Sequence, residues 1–195
     1  TIEELDFGQQ SHERNLIAVK GYDGWVGRAR VALRALELIE SHVATFEIVV
    51  FSANFRTRAL AAFLDLNSSL KLKVFPKNRL THASLQELFR RSVIYLGVSK
   101  SDGISTSMLE AMAAGAIPVQ TSTSCCDEWF TSSGVAIETI EVEAVAAAIV
   151  RGLELAKDPR NATRNLSVIK SKASKAEVSK IAKEHYTIVL ATSTK

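Results

Sequence analysis

The sequence lacks a long apolar run, a leader-like start and a cysteine framework. No stretch approaches the roughly 18 consecutive apolar residues that a membrane-spanning helix needs. No basic region followed by an apolar core opens the chain, so a secretory signal peptide is not predicted. There is no starting Met either, which indicates an excised fragment or a processed chain.

Cysteine is scarce: the chain has two, Cys125 and Cys126, and they are adjacent. Adjacent cysteines form neither a disulfide framework nor the C-x-x-C pair of a zinc or redox site. A bridge between sequence neighbours would also be strained. Reduced thiols in a cytoplasmic protein are therefore predicted.

The chain also lacks a large excess of positive or negative charge. The chain has 24 Lys and Arg against 21 Asp and Glu, a net charge of +3, and no basic patch is interleaved with aromatic residues. Nucleic acid is therefore not a predicted partner. What is present is ordinary for one folded domain: 195 residues, 47% hydrophobic and 23% charged, enough to bury a full core.

Short apolar runs alternate with helical patterns along the chain. The runs predict six buried strands because they are rich in β-branched and aromatic residues and are bounded by breakers. Between them, apolar residues recur at helical spacing, and Ser84 with Glu87 predicts a capping-box start for one helix. This alternation predicts an α/β fold with a doubly wound, Rossmann-like parallel sheet and a ligand crevice at the carboxyl ends of its strands. The predicted strands are 16–19, 47–51, 72–75, 93–98, 117–120 and 135–137.

The chain divides into three predicted parts. Residues 1–14 are polar without a clear period and are interpreted as a linker, and residues 15–160 hold the Rossmann-like domain. Residues 161–195 are polar and basic, which predicts a C-terminal basic helix and tail. A helix docked on its own domain is the simpler interpretation of this last part. A membrane-surface helix is the alternative, although it would need more apolar bulk.

The stretch 99–115, around which the chain is organised, reads S-K-S-D-G-I-S-T-S-M-L-E-A-M-A-A-G. It follows the fourth predicted strand, turns at Asp102-Gly103 and continues as a helix that Gly115 ends. A strand, a polar loop and a helix N-terminus offer free backbone N–H groups and a positive dipole end, which suits an anionic ligand. Considered alone, Asp102 is equally a turn or cap residue, and Glu110 a solvated helix residue.

This stretch resembles the C-terminal, donor-binding half of GT-B retaining glycosyltransferases, in the glycosyltransferase family four-like group (glycosyl transferases group one). Members carry E-G-F-G-x-x-x-x-E-A-M-A-x-G, followed by a T-P-V-I strand. Here Asp102-Gly103-Ile104-Ser105 stands in place of E-G-F-G, and Glu110 to Gly115 matches the second part. Ile117 to Gln120 supplies the strand, and Glu128 stands where the family often has another Glu. The resemblance covers roughly residues 15–155, and its spacing is far more specific than a short motif.

The resemblance implies a nucleotide-sugar site and the residues that form it. Asp102 would be the catalytic-position carboxylate and would grip hydroxyls of the donor sugar. Glu110 would accept hydrogen bonds from the ribose hydroxyls. The backbone N–H groups of Gly103, Ile104 and Ser105 would stabilise the diphosphate as it leaves.

Basic side chains are also expected at the diphosphate. In the family, the turn after the first strand reads G-R, a spacer and K-G, with Arg and Lys holding the diphosphate. This chain departs from the pattern, since Gly21-Tyr22 and Gly27-Arg28 fall at the corresponding positions. Lys20 and Arg28 are each one residue out of place, and Arg30 is a third candidate. The resemblance implies that at least one of the three meets phosphate, and a solvated cation is the alternative for each.

The resemblance implies partners as well. The nucleotide-diphosphate sugar is a substrate, so no cofactor is expected, and no D-x-D triplet or His cluster predicts a metal site. An N-terminal GT-B domain, which binds most of the acceptor, is expected as a missing partner. The expected acceptor is a glycan or a lipid-linked molecule in polysaccharide biosynthesis, with peripheral contact at the inner face of the membrane as an open option. The chain alone is expected to bind a nucleoside diphosphate without turning over sugar.

Two alternatives stay open. One is a GT-B epimerase or glycosyl phosphorylase, which would share the fold. The other is a non-catalytic nucleotide- or sugar-binding α/β module. This second alternative stays open because the chain departs from the family pattern, with Asp instead of Glu at 102 and Ser105 instead of the second Gly.

Overall fold

The computed structural model of the chain describes residues 14–130 and 132–193. It contains one six-stranded sheet flanked by helices, which confirms the predicted α/β class. In chain order the elements are β1 (Leu16–Lys20), α1 (Ala29–Leu38), α2 (Glu40–Val43), β2 (Glu47–Ala53), α3 (Phe55–Asn67), β3 (Lys71–Pro76), α4 (His82–Arg91), β4 (Ser92–Gly97), α5 (Thr106–Ala113), β5 (Ile117–Thr121), β6 (Val135–Ile137), α6 (Val142–Ala156), α7 (Pro159–Ala173) and α8 (Lys175–Ser193).

All neighbouring strands are parallel, in the order β3-β2-β1-β4-β5-β6. From β1 the chain therefore adds β2 and β3 on one side. It then returns to place β4 on the other side of β1 and continues outward with β5 and β6. The order reverses between β1 and β4, and the loops leaving these two strands diverge there. Sheets of this kind bind ligands in the crevice that this divergence opens at the carboxyl ends of the strands.

Side chains of the strands alternate between two apolar layers, as the period of two in a strand requires. Ile17 and Val19 of β1 face one layer, which α1, α3 and α6 cover. Leu16 and Ala18 face the other layer, which α4, α5 and α7 cover. Both faces of the central strands are buried, which is why β1 and β4 are nearly continuous apolar runs, whereas the edge strand β3 alternates and exposes Lys71 and Lys73.

The start of α4 differs from the capping-box prediction. The helix begins at His82, and Thr81 is its N-cap, with its Oγ1 accepting a hydrogen bond from the Ser84 N–H at 3.1 Å. Ser84 thus lies inside the first turn, and the prediction that it caps the helix is wrong. Two hydroxyl residues three positions apart can each cap a helix, so the local pattern did not distinguish them.

The C-terminal segment forms two helices rather than one. Asp158 caps α7 by accepting a hydrogen bond from the Arg160 N–H at 3.0 Å, and Pro159 occupies the first turn, where its missing N–H costs nothing. α7 packs on α5 and β5 and buries Ile169 in the layer beneath them. Within residues 14–130 and 132–193, no helix is both long and apolar enough to cross a membrane.

Candidate functional site

The carboxyl ends of β1 and β4 bring two of the predicted site residues into direct contact. Lys20 is the last residue of β1, and Asp102 follows the end of β4 by five positions. The Lys20 Nζ lies 2.7 Å from Asp102 Oδ2 and forms a salt bridge with it. The same ammonium group donates a longer hydrogen bond, 3.3 Å, to Ser105 Oγ at the start of α5. A cation, a carboxylate and a helix N-terminus thus meet at the point where the strand order reverses.

Both partners of this salt bridge are partly buried, with side chains 33% and 29% exposed. Burial acts to lower the pKa of Lys20, but the hydrogen bond and charge of Asp102 act against it, and the net direction of the pKa shift is upward. Lys20 is therefore cationic throughout the physiological range. The pair is nearly neutral as a unit, and a ligand that arrives here meets a charge already balanced.

Tyr95 lies beneath this cluster and contacts it through its hydroxyl group. It is fully buried in β4, and its hydroxyl lies 3.2 Å from Ser105 Oγ and 3.1 Å from Ser107 Oγ. Burial raises the pKa of the Tyr95 phenol, so the hydroxyl remains protonated and hydrogen-bonded. Sequence reasoning missed this residue. The available signal was a tyrosine inside a buried strand, since a buried phenol needs a polar partner.

The N-terminus of α5 is open toward the crevice. Ser105 is the N-cap residue, but no side chain caps the helix. Gly103 lies in open space, because a Cβ built on it would meet nothing within 4 Å, and Ile104 is 47% exposed. The first turn of a helix presents backbone N–H groups and the positive end of its dipole. These features make the loop and first turn of α5 a suitable place for an anion.

Glu110 lies on the α4 side of α5. Its Oε1 is 3.6 Å from His82 Nε2 at the start of α4, an ion pair when the imidazole is protonated. The Glu110 side chain is 22% exposed and the His82 ring 74% exposed, so both are accessible from solvent. No local sequence pattern indicates a role for His82, because its contact with Glu110 arises only from the packing of α4 beside α5.

Arg28 and Arg30, the other two predicted diphosphate cations, are turned toward their own loop. Arg30 donates through its Nε to Oδ2 of the buried Asp23 at 2.9 Å and through its backbone N–H to Oδ1 at 3.2 Å. Arg28 donates to the backbone carbonyls of Gly24 and Gly27. These hydrogen bonds fix the conformation of the loop after β1 and engage both arginine side chains within it. Both arginines line an open cleft between α1 and α3 rather than the crevice at Lys20.

A small cavity of about 100 Å³ adjoins the salt bridge. The loop after β1 covers one side of it with Tyr22 and Val26. Gly27 and Val98 also line it, and its polar lining residues are Lys20, Ser99, Ser101, Asp102 and Gln120. Because it opens at the carboxyl ends of β1, β4 and β5, this cavity is the part of the crevice that is closest to the predicted catalytic-position carboxylate.

A larger cavity, about 490 Å³, lies at the opposite edge of the sheet. Val93 and Ile117, near the amino ends of β4 and β5, contribute to its wall, together with Leu153 of α6. None of the predicted site residues lines it. Parallel α/β sheets bind ligands at the other edge, so size alone does not make this cavity the functional site.

Solved structures with the same fold include a glucosyltransferase and proteins in complex with UDP. The catalytic domain of cholesterol-α-glucosyltransferase from Helicobacter pylori matches with a TM-score of 0.68 and 15% identity, over 82% of this chain and 99% of that one. Anabaena Alr3699/HepE in complex with UDP and glucose matches with 0.70 and 14%, over 90% and 48%. TarM from S. aureus, in complex with UDP among other ligands, matches with 0.66 and 16%, over 89% and 36%. The present chain thus spans less than half of the last two proteins.

Sequence comparison identifies the family. No curated protein sequence matches the chain significantly. The family model described as glycosyl transferases group 1 matches residues 13–154, which include the whole sheet and the loops that form the crevice. The six-stranded parallel sheet corresponds to one half of a GT-B fold. This chain therefore belongs to the glycosyl transferases group 1 family.

Proposed function

We propose that this chain is the donor-binding domain of a retaining glycosyltransferase, which transfers a hexose from a nucleotide-diphosphate sugar to a glycan or lipid-linked acceptor in polysaccharide biosynthesis. The observation that carries the proposal is the cluster of Lys20, Asp102 and Ser105 at the uncapped N-terminus of α5. It combines a cation and free N–H groups for a diphosphate with a carboxylate for sugar hydroxyls. The position at the reversal of strand order supports the same interpretation.

In this proposal the diphosphate binds across the loop that precedes α5. Backbone N–H groups from Gly103 to Ser105, aligned with the helix dipole, stabilise the negative charge that grows on the leaving diphosphate. Among the three candidate cations we assign Lys20 to the diphosphate, because Arg28 and Arg30 are engaged by their own loop. Lys20 then lies between two anions, Asp102 and the diphosphate, and shares its charge with both.

The two carboxylates act on different parts of the donor. Asp102 faces the polar cavity, and it accepts hydrogen bonds from hydroxyls of the sugar. Glu110 lies on the flank of α5 toward α4, and it accepts hydrogen bonds from the ribose hydroxyls. A carboxylate on a rigid helix suits this role because its position changes little on binding.

In this proposal a second GT-B domain contributes the acceptor site. The chain covers only 36% of TarM and 48% of Alr3699/HepE, which leaves room for such a domain in proteins of that length. The isolated chain accordingly binds a nucleoside diphosphate but transfers no sugar. UDP is the first nucleotide to test, because it is present in both of these structures.

Titration calorimetry with UDP, GDP and ADP, each with and without its attached hexose, tests the proposal. We expect one nucleotide to bind, and Lys20→Met to weaken it about tenfold. Lys157→Met is the matched control, since Lys157 forms a comparable 2.7 Å pair with Glu154 but lines the cavity at the opposite edge. Absence of binding for all three nucleotides, or equal effects of the two substitutions, would contradict the proposal.

A non-catalytic nucleotide- or sugar-binding α/β module is the second candidate, and it is favoured by the shorter Asp102 and the pairing of Asp102 with Lys20. A GT-B epimerase or phosphorylase is a third. Slow hydrolysis of the bound donor by the full-length enzyme distinguishes a transferase from a module that only binds. Dependence of turnover on inorganic phosphate would identify a phosphorylase.

A further inference from the structure

Gln120 has a buried amide that the fold does not satisfy. It lies near the carboxyl end of β5 with 1% of its surface exposed, and among the described residues its Oε1 has no hydrogen-bond partner. Its Nε2 makes one long contact, 3.4 Å, with Thr121 Oγ1. Exchanging the two ends of the amide would give the oxygen this contact and leave the nitrogen unpaired. In either orientation one end lacks a partner, and a buried polar group in that state requires an explanation.

The neighbouring strand leaves room for this amide. Gly97 of β4 is paired in register with Gln120. A Cβ built on Gly97 would lie 2.1 Å from Gln120 Oε1, so any larger residue would displace the amide. Gly97 therefore leaves space for the polar side chain of Gln120. An apolar side chain at position 120 would fill the same space without leaving a polar atom unpaired.

The surroundings of the amide indicate the kind of ligand that would satisfy it. Gln120 lines the 100 Å³ cavity together with Ser99, Ser101 and the Lys20–Asp102 pair. The volume exceeds the share of one water molecule in liquid, which is about 30 Å³. The two charges balance each other, the other polar groups are neutral donors and acceptors, and Val26 and Val98 complete the wall.

A phosphate fits the part of the cavity between Asp102 and Gln120 less well than a hydroxyl does, because its oxygens mainly accept hydrogen bonds and would face the Asp102 carboxylate. A sugar hydroxyl both donates and accepts, so it can pair with either end of a carboxamide and with a carboxylate or a serine. Thr121 holds two of these groups in place, since its Oγ1 also accepts a hydrogen bond from the Ser99 N–H at 3.1 Å. The cavity therefore fits one hydroxyl-bearing edge of a sugar ring.

We propose that Gln120 binds a hydroxyl group of the donor sugar, in a subsite formed with Ser99 and Asp102, and so contributes to the choice of sugar. The proposal rests on the function proposed above, because it takes the hexose of a nucleotide sugar as the ligand. Gln120 touches the sugar and not the diphosphate. Loss of its amide should therefore affect ligands that carry a hexose and leave the bare nucleotide unaffected.

The first test is nuclear magnetic resonance on the unsubstituted chain. The side-chain NH₂ signals of Gln120 are identified by their absence in Gln120→Met, and UDP, UDP-glucose, GDP, GDP-mannose and free glucose, mannose and galactose are titrated in turn. We expect hexose-bearing ligands, including at least one free sugar at millimolar concentration, to shift these signals, and bare nucleotides to leave them unchanged. The shifts are measured on the unsubstituted chain, so the variant is needed only to assign the signals.

The second test compares affinities. Gln120→Met keeps the length of the side chain, and we expect it to weaken a nucleotide sugar about tenfold while changing its bare diphosphate less than twofold. Equal losses for both ligands, or no loss for either, would overturn the Gln120 proposal while nucleotide binding still supported the general function. Shifts with free sugar but without nucleotide binding would support the sugar subsite and contradict the proposed function. No response to any sugar or nucleotide would overturn both.

Discussion

Lys20 and Asp102 are 82 positions apart in sequence and 2.7 Å apart in the structure. Each side chain balances the charge of the other. In the proposed function, a nucleotide sugar would redistribute this pair, with Lys20 turning its charge toward the diphosphate and Asp102 accepting hydrogen bonds from the sugar. We therefore expect changes to the two residues to affect the nucleotide and the sugar differently.

Glu110→Gln tests the proposed ribose contact. The substitution keeps the size and helix propensity of the side chain but removes its charge. A hydrogen bond to a charged group contributes about 1.5–3 kcal/mol, so we expect a loss of roughly ten- to a hundredfold in affinity for the bare nucleoside diphosphate. Titration calorimetry measures it. A change of less than twofold would mean that Glu110 only pairs with His82 on the surface.

Asp102→Asn should lower the affinity for the nucleotide sugar but not the affinity for the bare nucleotide. The amide donates where the carboxylate accepted, so affinity for the nucleotide sugar should fall about tenfold. The bare diphosphate should bind as before or slightly more tightly, because Lys20 loses its competing partner. The same calorimetric series decides this. Equal losses for both ligands would assign Asp102 to the nucleotide or to the fold instead.

Gly103→Ala tests whether the backbone before α5 approaches the ligand. A Cβ here meets nothing within 4 Å, so we expect the free energy of unfolding to be unchanged or to rise by up to about 1 kcal/mol. Affinity for the diphosphate should nevertheless fall, because a methyl group would stand where the anion contacts the N–H groups.

Gly21→Ala is the matched substitution for this experiment. Its Cβ would lie 2.6 Å from the Phe51 carbonyl oxygen, so it should destabilise the fold directly. Denaturant unfolding and calorimetry on both variants provide the comparison. Unaltered binding in Gly103→Ala would argue against a diphosphate at this loop.

Cys126 should make stability fall at alkaline pH. Burial, reinforced by Asp127, raises the pKa of its thiol from 9.0 to about 11. A group whose pKa is higher in the folded state contributes stability that is present below the unfolded value and is lost as pH rises toward the folded value. Between pH 8 and pH 10 we expect a loss of about 1 kcal/mol from this thiol.

Denaturant unfolding at several pH values measures that loss, and Cys126→Ala is the control. The variant is expected to be less stable at every pH, since it loses a buried side chain, but its stability should change less between pH 8 and pH 10. Parallel curves for the two proteins would refute the assignment to Cys126.

Alkylation at pH 7.5 should distinguish the two adjacent thiols. Cys125 is exposed and Cys126 is buried with a raised pKa, so iodoacetamide should modify Cys125 alone in the native chain. Nucleotide binding should stay within a few-fold of its starting value, as measured by calorimetry after mass spectrometry has confirmed single labelling. Abolished binding without unfolding would instead bring the loop after β5 into the site.

The sequence alone was enough to predict the fold class, the six strands and the central strand–loop–helix unit. Each of these depends on residues close together in the chain: apolar runs bounded by breakers, helical spacing, and Gly115, which ends α5 with a φ of +88°. The start of α4 was predicted wrongly because Thr81 and Ser84 are both competent caps. By local chemistry either residue could cap the helix, and in the folded chain the cap is Thr81.

Only the tertiary structure decided which side chains meet at the carboxyl edge of the sheet. Lys20, Arg28 and Arg30 were equivalent candidates by sequence, since all three flank the same turn. The buried Asp23 engages Arg30, while strand order brings Asp102 to Lys20. Contacts between residues so far apart in sequence depend on the order of strands and the path of loops, which no local pattern encodes.

The same reason applies to Tyr95 and Gln120. By sequence each is a polar residue inside an apolar strand, with no indication of its partners. Their roles follow from what lies across the sheet: Ser105 and Ser107 above Tyr95, and Gly97 beside Gln120. The motif in the sequence predicted the loop at which the proposed ligand binds, and the packing of β1, β4 and β5 against each other determined which side chains lie around that loop.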